Sequence, residues 1–288
     1  MGPATDRTAR PTVVFDVLGT LVDQTGSLER HVTAMAGIDS GAAAEVARRW
    51  LGHVAEQERA IVEGRRAFAP SHELDLEALT WLVGERFLLP DAAGRLADAS
   101  EWLQPWPDTV AGLDLLTADV AVLGLSNASR RVLAGLSANA GLRWHQVLSA
   151  EDAGTYKPDP ALYELAMNSV PTGSGTPYMV AAHAWDLRAA AAAGMRTAYV
   201  PRSDGDPPGP ADTFDLHATS LLDLHAQLLD LMDQAPGDEA RNDEAPAGEG
   251  QGQGQDEGLE HPAYKDAIPG EYPEDNPDKK GEERFDAG

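Results

Sequence analysis

Hydrophobic and polar positions follow three different rhythms along this chain, and the changes of rhythm divide it. Residues 1–11 show no period and read as a flexible arm. At Thr12 a β-branched and aromatic run begins, Val13-Val14-Phe15, and it stops at Asp16. A short apolar run closed by a polar residue predicts a buried strand over about 12–16, its last residue at the mouth of a sheet. Gly19 permits a tight turn directly after it. Between about Gly26 and Leu103 the spacing changes. In AAAEVARRWLGHVAEQERAIVEG and LDLEALTWLVGERFL, apolar residues recur every three or four positions, which predicts amphipathic helices. Residues 25–104 thus read as a helical insertion between the first strand and the rest of a sheet.

Pro105-Trp106-Pro107 marks the return to a different pattern. A helix is predicted over about 108–118, then the apolar strand VAVLGLSN ending in Ser126 and Asn127. A helix near 129–140, a short strand near 146–148, the loop AEDAGTYKPDP and a helix near 160–169 follow. YMVAAHAWD predicts a third buried strand that runs into His183 and Asp186. The helix LRAAAAAG should stop at Gly194, RTAYVP should form a strand over 196–201, and a last amphipathic helix should span about 217–232. Strands alternating with helices imply parallel pairing, hence an α/β fold with a Rossmann-like core over 12–24 and 105–232. Asp16, Ser126 and Asp186 then meet at the carboxyl ends of neighbouring strands, where open α/β sheets bind ligands.

Composition changes the picture at the far end. Residues 233–288 hold 17 acidic and 5 basic residues, include GEGQGQGQDEG, and predict a disordered acidic tail. The whole chain has a formal charge of -25, which speaks against nucleic acid and anionic membranes as partners. With no cysteine, disulfides, thiolate metal sites and a cysteine nucleophile are excluded. The amino terminus lacks the apolar core of a signal peptide, Asp6 breaks the myristoylation pattern, and no apolar run approaches a membrane span. A cytoplasmic protein is the expectation.

Four lysines occur in 288 residues, and three of them, Lys265, Lys279 and Lys280, fall in the acidic tail. The fourth, Lys157, stands alone in a region that otherwise uses arginine. A single ammonium there suggests a need for a compact point charge that a guanidinium fork does not meet. Set between Asp16 and Asp186, it would offset two carboxylates that repel each other.

The segments FDVLGTLVD, LSN, YKPDP and AWD, in that order, resemble the motifs of the haloacid dehalogenase superfamily, and most of all its 2-haloacid dehalogenases. The likeness covers about residues 12–30 and 105–201, with the helical insertion in the place of a cap domain. It implies a hydrolase in which Asp16 is the nucleophile, Thr20 orients it and Lys157 pairs with it. By the same resemblance Ser126 and Asn127 hold the substrate carboxylate, Tyr163 matches the tyrosine after YKPDP, and Asp186 positions or activates water. The substrate would be a small 2-halo carboxylic acid, halide would leave by rear attack at C2, and no cofactor would be needed. A homodimer through the cap is compatible with the resemblance.

Several positions depart from the family pattern. Leu18 stands where phosphatases of the superfamily carry a second Asp as general acid, whose loss costs about 10²–10⁴-fold, and where the dehalogenases have tyrosine. Ala181, Ala182 and His183 replace two hydroxyls and an amide ahead of Ala184-Trp185-Asp186. His183 could serve as hydrogen-bond partner or base in place of the amide, or simply cap the following helix. Trp185 and Leu18 are candidate walls of the substrate site, and Arg59 is the candidate for the arginine that the dehalogenase cap supplies. Two alternatives remain open at this level. One is a phosphatase with Mg²⁺ held by Asp16 and Asp186. The other is a binding or regulatory protein that has kept the fold without turnover.

Overall fold

The computed structural model describes residues 10–234, so the expected tail beyond Gln234 and the arm before Arg10 lie outside the described residues. In chain order the elements are β1 (Thr12–Phe15), β2 (Val22–Asp23), α1 (Gln24–Ala36), α2 (Ser40–Val62), α3 (Ser71–Gly84), α4 (Pro90–Leu96), a 3₁₀ turn (Ala99–Trp102) and β3 (Gln104–Pro105). They continue with α5 (Thr109–Asp119), β4 (Ala121–Ser126), α6 (Arg130–Asn139), β5 (Gln146–Ser149), α7 (Ala150–Ala153), α8 (Pro160–Ser169), β6 (Tyr178–Ala181) and α9 (Ala184–Ala192). The described part closes with β7 (Arg196–Tyr199), β8 (Leu216–His217) and α10 (Leu221–Gln234).

Six strands form one parallel sheet in the order β5-β4-β1-β6-β7-β8. The all-apolar stretch Val13-Val14-Phe15 takes the interior position, and all four residues of β1 are buried. That is what a strand covered on both faces requires, and why it shows no alternation. Phe15 lies in register with Gly124 of β4 on one side and Val180 of β6 on the other. The chain winds outward from β1 through β4 and β5, then returns to the other side of β1 for β6, β7 and β8. Strand order therefore reverses beside β1, and the crevice at its carboxyl end is the natural place for a ligand.

Between β2 and β3, which pair antiparallel, the chain is helical. Asp23 caps α1 by accepting from Gly26 N, and Asp39 caps α2 by accepting from Gly41 N and Ala42 N. Along α2, Val46, Trp50, Val54 and Ile61 form a buried stripe, and Glu58 lies on the same stripe. No helix among the described residues is long and apolar enough to cross a membrane.

Two local expectations are corrected. The third core strand stops at Ala181, and α9 begins at Ala184, so Asp186 sits in the first turn of a helix rather than on a strand. A carboxylate is well placed there, facing the positive end of the helix dipole. The last helix starts at Leu221 rather than near 217, because Leu216 and His217 pair with Ala198 and Tyr199 as a sixth strand. Two residues are too few to carry a recognisable period.

Candidate functional site

The residue after β1 is fixed by the sheet itself. Asp16 N donates to Val180 O at 3.0 Å, which leaves the Asp16 side chain at the carboxyl edge of the sheet. The chain then turns, with Leu21 N and Val22 N both donating to Val17 O. Gly19 has φ +78°, and a Cβ there would stand 2.6 Å from His183 Nε2, so both conformation and space demand glycine. Arg202, beyond β7, braces this turn by donating from Nε to Thr20 O at 2.9 Å.

Asp16, Lys157 and Asp186 come together in one bridge. Lys157 Nζ donates to Asp16 Oδ1 at 2.9 Å and to Asp186 Oδ2 at 2.7 Å, and all three side chains are 0% exposed. Thr20 Oγ1 donates to Asp16 Oδ2 at 2.6 Å while accepting from Ala182 N at 2.9 Å. Tyr163 OH donates to Asp186 Oδ1 at 2.6 Å. Each of the four carboxylate oxygens thus receives a donor.

Burial alone would push the Lys157 ammonium down, but the charges of Asp16 and Asp186 outweigh it and hold the pKa above the ordinary lysine value. Burial raises Asp186, against the opposing pull of Lys157. Burial likewise raises Tyr163, with the neighbouring Asp186 charge adding to the shift. Lys157 is therefore a fixed positive charge, and Tyr163 a fixed donor. The pair named above for Mg²⁺ does not fit a hard cation as arranged. An ammonium already lies between the two acids, and among the described residues no group of three or more His, Asp or Glu side chains could hold a metal.

The motif after β4 joins this bridge to the helical insertion. Ser126 is buried and its Oγ accepts from Ala128 N at 3.1 Å. Asn127 Oδ1 accepts from Lys157 N at 2.9 Å, and Asn127 Nδ2 donates to Glu58 Oε2 at 2.9 Å. Glu58 comes from α2 and is buried. Between insertion and sheet edge runs a narrow cleft of about 20 Å³, lined by Leu18, Leu51, Val54, Glu58, Ser71 and Asp75 among others. That is room for about one water. Arg59 does not line it. Residues 51, 54 and 58 share one helix face, and position 59 is turned about 100° away. Glu58, and not its neighbour Arg59, is the charged residue that α2 sets on this cleft.

Asp75, from α3, accepts from Trp50 Nε1 at 2.6 Å and from Ser100 Oγ at 2.8 Å. Burial raises the pKa of Asp75, and raises that of Glu58 well above the usual carboxylate range despite its bond to Asn127. The unfolded chain releases these protons at ordinary values. Between those and the raised values the folded chain holds more protons, so stability falls as pH rises across that window. Glu58→Gln removes one of the two groups. Urea unfolding at about pH 5 and about pH 8 should show a smaller loss of stability in the variant than in the parent.

His183 is 3% exposed, and neither ring nitrogen has a protein hydrogen-bond partner. Its ring lies against Gly19, and its centroid is 6.0 Å from that of Trp185. Trp185 is half-buried, and its backbone N donates to Asp206 Oδ2 at 3.2 Å. Leu18 is buried at the cleft wall. Glu58 and Asp75 escaped the sequence reading, although a signal existed. Each is a carboxyl placed on the apolar stripe of an amphipathic helix, where a charged residue calls for an explanation.

A Rossmann-like parallel sheet with an acid after its first strand, bridged through lysine to a second acid, defines an α/β hydrolase with its polar groups at the strand ends. The chain belongs to the haloacid dehalogenase-like hydrolases, whose family model matches residues 11–194. It is 32% identical over 204 residues to (S)-2-haloacid dehalogenase 4A of Burkholderia cepacia, covering 68% of this chain and 84% of the relative. The crystal structure of an L-2-haloacid dehalogenase superposes with a TM-score of 0.69 at 33% identity, over 77% of this chain and 99% of that one. The L-2-haloacid dehalogenase of Xanthobacter autotrophicus, solved with chloropropionic acid covalently bound, superposes with a TM-score of 0.63 at 25% identity, over 76% and 98%.

Proposed function

We propose that this chain hydrolyses the carbon–halogen bond of a small 2-halo acid through an aspartyl ester on Asp16, without a cofactor. The observation that carries the reading is the contact of Lys157 Nζ with Asp16 Oδ1 at 2.9 Å, beside the Thr20 donor on the other oxygen. Together the two donors fix both Asp16 carboxylate oxygens and keep the side chain from turning. Asp16 attacks C2 from the rear, the carbon–halogen bond breaks, and halide departs with the bonding pair. Halide needs no proton to leave, so the apolar Leu18 suits this chemistry. It does not suit phosphate-ester cleavage, where the leaving alkoxide gains from a general acid. Configuration at C2 inverts once. Water then adds to the Asp16 ester carbonyl, the tetrahedral intermediate expels the 2-hydroxy acid, and the Asp16 carboxylate is restored with release of a proton.

His183 is assigned the water-holding role in that second step. A buried imidazole whose two nitrogens lack protein partners is satisfied by water, and this one lies against the turn that presents Asp16. Substituting His183→Ala should slow ester hydrolysis about 10²–10³-fold while leaving the first displacement intact. Rapid-quench mass spectrometry should then find the ester accumulating on Asp16; free enzyme at steady state would remove the assignment. The function itself is tested by chloride release from 2-chloropropionate and phosphate release from p-nitrophenyl phosphate, each with Mg²⁺ and with EDTA. Halide release indifferent to EDTA is expected, and Mg²⁺-dependent phosphate release would overturn the reading.

A further inference from the structure

The turn that follows the nucleophile is pinned carbonyl by carbonyl from outside. Gly19 O accepts from Trp106 Nε1 at 3.0 Å and Thr20 O from Arg202 Nε at 2.9 Å. Leu21 O accepts from Trp106 N at 3.1 Å and from Thr109 Oγ1 at 2.7 Å. Of these donors only Arg202 is charged, and a charge-assisted hydrogen bond is the stronger kind. Its guanidinium is held in turn. Nη1 lies 2.9 Å from Asp108 Oδ1, and Cζ lies 5.7 Å from the centre of the Trp106 ring. Both members of the Arg202–Asp108 pair are largely buried, so salt screens it little. What Arg202 fixes is the main chain of Thr20, whose hydroxyl donates to Asp16 Oδ2.

A few residues on, the same loop grips the second turn of the site. Asp206 O accepts from Ala184 N at 2.9 Å, and Asp206 Oδ2 accepts from Trp185 N at 3.2 Å. These are the first two amides of α9, which a helix leaves without partners of its own. His183, at the N-cap position, makes no side-chain cap, so the cap comes from across the loop. Between the two anchors Gly205 packs on Ala182, where a Cβ would stand 2.5 Å from Ala182 O. Asp206 also bridges to the backbone of His183, and so sets the start of the helix whose first turn carries Asp186.

We propose that the loop after β7 aligns the two steps of the reaction separately. Arg202 is a positioning residue for Asp16, acting through Thr20, and Asp206 is one for Asp186 and His183, acting through the start of α9. The proposal rests on the aspartyl-ester reading above and adds two residues to it. A misplacement of about 1 Å can cost about 10²-fold in rate, so loss of either anchor should show in the step that its turn serves. The test is a single turnover of 2-chloropropionate with the full chain in excess, followed by rapid quench. Chloride release times ester formation, lactate release times ester hydrolysis, and the mass of the Asp16 peptide reports the ester between them. Arg202→Lys keeps a cation for Asp108 but lacks the planar fork that serves Asp108 and Thr20 O at once. It should slow ester formation about 10–10²-fold and lower the ratio of formation to hydrolysis. Asp206→Ala should slow hydrolysis about tenfold and raise that ratio. Asp206→Asn keeps an acceptor for the Trp185 amide and should bring the ratio back toward the parent. Urea transitions show that each variant is folded, and a merely structural role would lower stability without moving the ratio in opposite directions. Steps slowed equally, or unchanged, in Arg202→Lys and Asp206→Ala would overturn the proposal and leave the dehalogenase reading standing. A parent that forms no ester on Asp16 would overturn both.

Discussion

Asp16→Asn is expected to abolish halide release, by about 10⁴-fold or more, while leaving the chain folded. The amide is a poor nucleophile, and no other group stands where Asp16 does, at the carboxyl end of β1 with Thr20 Oγ1 at 2.6 Å and Lys157 Nζ at 2.9 Å. Folding should survive because the bridge starts with two negative charges on one ammonium. Removing one leaves the Lys157–Asp186 pair at 2.7 Å, still hydrogen-bonded by Tyr163. A halide-release assay beside a urea unfolding curve checks both halves of the prediction. Loss of activity with an unmoved unfolding midpoint is the expected combination.

Lys157→Met should have the opposite emphasis. It leaves Asp16 and Asp186 buried together with no counter-charge, and uncompensated buried ions cost about 3–5 kcal/mol. That is a large share of the roughly 5–15 kcal/mol that holds a typical domain together. The variant should unfold at markedly lower urea than the parent and lose turnover as well. Adding Asp186→Asn removes one of the stranded charges and should restore part of the stability but none of the activity. Equilibrium unfolding of the single and double variants measures this. A double variant no more stable than Lys157→Met alone would show that the side chain's packing, and not its charge, is what matters at this position.

The sheet was legible because its strands are short apolar runs closed by polar residues. Val13-Val14-Phe15 before Asp16 and VAVLGL before Ser126 both announce a strand and the edge it ends on. Lys157 could be singled out because the described region contains no other lysine. What remained hidden depended on tertiary geometry. Asp186 reads as strand because YMVAAHAWD has no break, yet His183 at the N-cap position of α9 turns the chain into a helix three residues earlier. Glu58 and Arg59 are adjacent in sequence, and only the rotation of α2 against the sheet decides which one faces the cleft. The pairing of Leu216-His217 with β7 rests on partners distant in sequence, which no local period reveals.

The central claim is that a carboxylate, and not water, attacks the substrate carbon, and a single turnover in H₂¹⁸O tests it directly. With enzyme in excess over a 2-halo substrate, the hydroxyl oxygen of the product should come from Asp16 and remain unlabelled. One ¹⁸O should appear in the peptide containing Asp16. Label in the product hydroxyl, with that peptide unchanged in mass, would mean that water attacks carbon directly and would contradict the ester mechanism.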